Sequence, residues 1–212
     1  VLVYGLLLLR AALDTRLRDS GDVARVSGLP VLAEFPRMLG GNRRLPREGS
    51  NYLRTNLSFT TADAHPKVLL VTSPLQGEGK SSVALSLAES FARNDHRTLL
   101  VDADLRKPVL AGEYGLGSSA SGRAAPLRAW LESPHEEHAP AQVVLGTGVV
   151  MDVVPTYEAA PNPTELLSQG FLPALERWRA EYDVIVIDSA PLLPVADTLT
   201  IAPLCTGTIV AA

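Results

Sequence analysis

Past residue 66 the apolar positions fall into two alternating patterns. Continuous apolar runs occur in KVLLVTS at 67–73, TLLVDAD at 98–104, MDVVP at 151–155, DVIVIDS at 183–189 and GTIVAA at 207–212. Runs of this length and density predict strands buried on both faces. Between them, SSVALSLAESFARN at 81–94 and PNPTELLSQGFLPALERWRAEY at 161–182 predict helices. The second has a marked start: Asn162 stands at the cap, Pro163 suits the first helical position, and Glu165 completes a capping-box spacing. Residues 112–149 are less regular and predict a short helix around 126–131 and a mobile surface loop. Strands alternating with helices predict an α/β domain, a parallel sheet flanked by helices on both faces, with ligands at the carboxyl ends of the strands.

Upstream the pattern is different. Tyr52, Leu53, Leu57 and Phe59 lie near helical spacing and predict a helix leading into the core. Residues 19–47 are rich in Gly, Pro and charge and read as a linker, with one short apolar segment at 30–35 that could dock elsewhere. Residues 1–9 carry no charge, a run shorter than the roughly 20 residues a membrane span needs. The segment 1–18 lacks the features of a signal peptide. It reads either as the inner end of a transmembrane helix, with Arg10, Arg16 and Arg18 on the cytoplasmic side, or as an amphipathic helix or strand of a soluble protein. The expected division is therefore 1–18, a linker at 19–47, and one domain at 48–212.

Composition narrows the function. The 212 residues are 46% apolar and 20% charged, enough for one sizeable core. A net charge of −4 gives no global basic field for nucleic acid. The single cysteine, Cys205, excludes a disulfide framework and a cysteine-based zinc cluster. His65, His96, His135 and His138 show no metal-ligand spacing, and the HEEH at 135–138 reads as a solvated loop.

The chemistry collects at strand ends. In SPLQGEGKSS a strand gives way to a glycine-bearing turn and a helix opening at Lys80-Ser81. This is the setting of a phosphate-binding loop. Gln76, Gly77, Glu78, Gly79, Lys80, Ser81 and Ser82 supply backbone N–H groups and a helix N-terminus for an anion. Lys80 is placed to reach the terminal phosphates of a nucleotide, and the Ser81 hydroxyl to ligate Mg²⁺. The usual first glycine is replaced by Pro74, which removes one donor at the loop entrance. Asp102 and Asp104 end the next strand two residues apart, so both carboxylates face one side. Aspartates there also cap turns, but beside a phosphate loop a metal shell is the preferred reading. Asp188 closes a third apolar run in the Walker B manner and is expected to join Ser81 and Asp102 around Mg²⁺.

Taken together, VTSPLQGEGKSS, LLVDADLRKP, APNPTELL and YDVIVIDSAPLLPVADTLTIA resemble the bacterial tyrosine kinases of capsule and exopolysaccharide systems. The resemblance covers almost the whole chain. It extends to the front, where LLLLRAALDTRLRDSGDVARVSGLPVLAEFP is similar to the exit from that family's second transmembrane helix and its linker. The resemblance implies a P-loop NTPase-type fold preceded by a juxtamembrane helix and linker, on the cytoplasmic face of a bacterial inner membrane. It implies ATP and Mg²⁺ as cofactors, and phosphoryl transfer to tyrosine with Lys80 and Asp104 as catalytic residues, Asp104 orienting or deprotonating the phenol. Its implied partners are its own subunits in a ring-like oligomer, the membrane, and polysaccharide polymerisation and export machinery. Glu48 and Arg54 match the family's oligomerisation motif, but Asn51 stands where its first arginine would be. Tyr157 and its neighbours depart from the family's approach to the PNP segment, and Thr206 stands where an Asp is usual nearby. None of the five tyrosines belongs to the family's C-terminal acceptor cluster, which would lie beyond Ala212. Two rival readings are an ATPase switch of the partition or Min type and a non-catalytic ATP-binding scaffold. The first carries an extra lysine where this chain has Leu75, and the intact Lys80, Ser81, Asp102, Asp104 and Asp188 argue against the second.

Overall fold

The computed structural model describes residues 20–35, 44–61, 63–116, 124–146 and 148–212. The chain divides into two compact units, Val1–Pro36 and Arg37–Ala212. In the first unit a helix, α1 (Ser20–Ser27), occupies part of the stretch expected to be linker. Gly28 ends it at φ +68°, donating its N–H to the Ala24 carbonyl at 2.9 Å. The glycine read as a loop signal is thus a helix stop. The apolar segment at 30–35 has no regular structure. The expected membrane-proximal segment at 1–18 lies outside the described residues. Among the described residues no helix is long and apolar enough to cross a membrane.

The second unit is a three-layer α/β fold. Its strands are β1 (Lys67–Thr72), β2 (Thr98–Ala103), β3 (Ala141–Val144), β4 (Val150–Val154), β5 (Val184–Ser189) and β6 (Gly207–Val210). They form one sheet in the order β3-β4-β2-β5-β1-β6. β4, β2, β5, β1 and β6 run parallel, and β3 pairs antiparallel with β4 at one edge. The expectation of a purely parallel sheet is corrected at that edge. AQVV is too short to read as a strand, and it closes on β4 by a hairpin rather than a helix. The three central strands are buried at every position, as their unbroken apolar runs require.

The helices are α2 (Arg47–Thr60), α3 (Lys80–Ala92), α4 (Leu110–Glu113), α5 (Leu127–Glu132), α6 (Pro163–Glu181) and α7 (Asp197–Ile201), with a 3₁₀ turn at Ala202–Leu204. α3 lies against β1, β2 and β5, and α2 packs on α3 through Leu53 and Leu57. On the opposite face α5, α6 and α7 close a core with Val68, Leu70, Leu99, Val101, Ile185 and Ile187. α6 begins where expected, with Asn162 before Pro163. However, the Asn162 side chain makes no capping bond, and Glu165 accepts from Gln169 further along the helix. The capping box is therefore not formed. Gly170 lets α6 lie directly on α5: a Cβ there would stand 2.2 Å from the Leu131 carbonyl oxygen.

Candidate active site

Strand alternation decides which side chains meet. Residues 69, 71, 100, 102, 186 and 188 share the sheet face covered by α3, and residues two apart stay on it. β2 and β5 are neighbours in register, with Asp102 directly opposite Asp188. The fold thus places two carboxylates side by side at the carboxyl edge, under the N-terminus of the helix that Lys80 opens.

The loop before that helix has the open geometry an anion needs. Gly77 and Gly79 adopt φ of +91° and +94°, left-handed conformations that favour glycine, and a Cβ at either would meet nothing within 4 Å. No side chain caps the start of α3, so its first N–H groups remain available to a ligand. Glu78 turns back and its Oε2 accepts the Leu75 N–H at 2.6 Å, while the Ser73 hydroxyl donates to the Leu75 carbonyl at 2.7 Å. Pro74 is absorbed without loss of this closure, and its carbonyl accepts the Leu193 N–H at 3.2 Å.

Inside the loop, the Lys80 ammonium donates to Asp104 Oδ2 at 2.7 Å and to the Ser81 hydroxyl at 3.3 Å, with Asp188 Oδ1 3.7 Å away. Burial disfavours the Lys80 charge, but Asp188, Asp104 and Asp102 outweigh it and hold its pKa above the ordinary value. Asp102 uses Oδ2 to accept the Val109 and Leu110 N–H groups at 3.2 and 3.0 Å. Its Oδ1 and both oxygens of Asp188 are buried without a hydrogen-bond partner among the described residues. Burial pushes the Asp188 carboxyl up to about 6, against the pull of the Lys80 charge. Asp102 is raised well above the carboxylate range by burial and by the charge of Asp188. Asp102 therefore caps the next turn with one oxygen and leaves the other without a hydrogen-bond partner among the described residues.

These orphaned oxygens supply the fit for a divalent cation. Among the described residues no three His, Cys, Asp or Glu side chains gather into a metal-binding group. Mg²⁺ takes one or two carboxylates and completes its shell with water and phosphate oxygens. Ser81, Asp102 and Asp188 are the residues that would hold it, and Gln76 to Ser82 would hold the nucleotide's phosphates.

Several neighbours of the site were not legible from their spacing. Asp197 is 1% exposed and takes Arg106 in a two-point contact, Nε to Oδ2 at 2.7 Å and Nη2 to Oδ1 at 3.0 Å. The Thr164 hydroxyl also donates to Asp197. This carboxylate joins the loop after β2 to the starts of α6 and α7. Thr156 donates to the Asp102 carbonyl at 2.7 Å. Lys107 donates its backbone N–H to Asp104 Oδ1 at 3.0 Å and its ammonium to Gln76 Oε1 at 2.8 Å. The RKP after Asp104 was the only sequence signal for Arg106 and Lys107. Asp197 lies in the segment YDVIVIDSAPLLPVADTLTIA that carries the family resemblance, but no role is assigned to it there.

The expected oligomerisation residues lie on α2. Glu48 is exposed, whereas Arg54 donates to Ser90 Oγ at 3.2 Å on α3. Asn51 accepts from the same hydroxyl at 2.8 Å. A separate cavity of about 310 Å³, lined by Arg44, Glu89, Arg93 and Tyr114 among others, lies towards the far end of α3. There the Glu89 carboxylate accepts from Arg44, Arg93 and Tyr114, so its polar groups serve one another.

No family model matches the chain. Over 174 residues it is 32% identical to the tyrosine-protein kinase YwqD of Bacillus subtilis, covering 79% of this chain and 68% of that protein. The chain belongs to the bacterial tyrosine-protein kinase family. Solved kinase domains agree with that placement. The BceF tyrosine kinase domain is 28% identical, with a TM-score of 0.72 over 92% of this kinase and 85% of that chain. The kinase domain of Escherichia coli ETK superposes with a TM-score of 0.75 over 92% and 83% of the two chains. At 22% identity, that likeness speaks to the fold alone. The kinase thus has the P-loop fold expected of it, and its family favours tyrosine phosphorylation over a partition-type switch.

Proposed function

We propose that the kinase transfers the γ-phosphoryl group of MgATP to protein tyrosine. The observation that carries this reading is the convergence of Lys80 and Asp104 with the unpartnered oxygens of Asp102 and Asp188 beside an open phosphate loop. When bound, MgATP supplies the transferable phosphoryl group and a cation that offsets its charge. The loop amides of 76–82 and the Lys80 ammonium bind and orient the phosphates. Ser81, Asp102 and Asp188 fix the metal position. Asp104 leaves Lys80 to accept or orient the proton of the incoming phenol, whose ordinary pKa of ~10 keeps it neutral at pH 7. The exposed Leu75, in place of a second loop lysine, supports this reading over a partition-type switch.

The acceptor in this reading is a tyrosine-bearing tail of a neighbouring subunit, with α2 contributing Glu48 and Arg54 to subunit contact. The domain at 48–212 acts on the cytoplasmic face of the inner membrane, tethered through 1–18 and the linker at 19–47, and controls polysaccharide polymerisation and export. The test uses labelled MgATP with the native full-length protein and a phosphotyrosine readout. Label on tyrosine that disappears in Lys80→Met supports the kinase reading. Phosphate release with no labelled tyrosine would point to a switch, and binding without turnover to a scaffold.

A further inference from the structure

Charge around the phosphate loop is unevenly matched. Lys80 faces three acids: it bonds Asp104, lies 3.7 Å from Asp188 and feels Asp102. A nucleotide triphosphate adds further negative charge to the same edge. Arg106 is committed to Asp197 in a two-point contact. Lys67 is turned to the Thr61 and Ala64 carbonyls at the opposite end of β1. Lys107 is different. It is exposed, and its ammonium rests on the neutral side-chain carbonyl of Gln76, a residue of the phosphate loop itself. Among the described residues no carboxylate lies within ion-pair distance of it. Its backbone N–H is meanwhile fixed to Asp104, the acid that also holds Lys80.

We propose that Lys107 is a second phosphate-binding cation of this site, supplied in cis from the loop after β2. It takes up the charge role that a second lysine within the phosphate loop would fill, at the place where this chain has the exposed, apolar Leu75. Gln76 holds the ammonium at the loop's rim until phosphate oxygens, far stronger acceptors than an amide carbonyl, replace it. The long, flexible stem of lysine permits that short transfer without backbone movement. Asp104 accepts the Lys107 backbone N–H, which ties the start of this loop to the carboxylate that lies beside Lys80.

This inference rests on the MgATP reading above and is tested by binding rather than turnover. Titration calorimetry with MgAMPPNP compares the unaltered full chain with Lys107→Met and Lys107→Arg, each checked by thermal unfolding without nucleotide. Lys107→Met is expected to weaken binding by about tenfold, the scale of one charge-assisted hydrogen bond. Lys107→Arg should keep most of the affinity, while all three proteins unfold at similar temperatures. Two results would overturn the proposal. One is Lys107→Met binding like the unaltered chain; the other is Lys107→Arg losing as much affinity as Lys107→Met, which would show that the charge at 107 does not act on the phosphates. Failure of the unaltered protein to bind MgAMPPNP would instead strike the nucleotide reading and carry this one with it.

Discussion

Asp188 is held in a state that favours a ligand over the empty fold. Its carboxylate is buried, has no hydrogen-bond partner among the described residues, and has a pKa pushed up to about 6 by that burial. Asp188→Asn removes the charge without changing the shape. In the absence of nucleotide this variant should be more stable by about 1–2 kcal/mol, or roughly 3–6 °C in Tm. It should also lose the Mg²⁺-dependent part of nucleotide stabilisation. Thermal unfolding with and without MgADP measures both, and a lower Tm for the empty variant would contradict the account. Residues such as Lys80, Ser81 and Asp188 were legible in the sequence because each sits next to a strand or helix boundary that the apolar pattern marks. Lys107 and Asp197 were not. Their roles come from contacts across 31 and 91 residues, which no local spacing encodes.

At the level of elements, the α5–α6 contact and the Asp197 junction both depend on single positions. Gly170→Ala would drive a methyl group into the Leu131 carbonyl and force α5 off α6. A loss of about 1–3 kcal/mol is expected, read from urea unfolding midpoints. Burial alone would raise the pKa of Asp197, but the bonds from Arg106 and Thr164 prevail and hold it below the usual carboxylate value. A depressed folded-state pKa contributes stability that is complete above about pH 4, and that is lost as the pH falls through the folded value. Asp197→Asn should therefore cost about 1–3 kcal/mol at neutral pH, with the gap to the unaltered protein closing on acidification. A gap that stays constant down to pH 2 would refute the ion-pair account. The long buried strands and α6 could be read from the chain because their periods are unambiguous over many residues. β3 could not, since four residues with alternating exposure are decided by the hairpin to β4. α1 was hidden by its composition, in which Gly21 inside a short polar helix and Gly28 just after it imitate a linker.

For the molecule as a whole, binding and folding are linked through the same carboxyl edge. A ligand that holds the folded form alone raises stability by about 2.7 kcal/mol at a hundred times its Kd. MgADP at that excess should raise the Tm by roughly 5–10 °C, and EDTA should remove most of the gain. A shift insensitive to EDTA would place the nucleotide outside the Asp102–Asp188 pocket. The register of β2 against β5 has a consequence for how the gene can vary. Because side chains alternate across the sheet, inserting or deleting one codon inside either strand turns its aspartate, and every apolar neighbour beyond the change, to the opposite surface. Point replacements along these strands should show graded losses of function. Single-codon indels should be uniformly lethal to activity there, while remaining tolerated in the surface segments that join the strands.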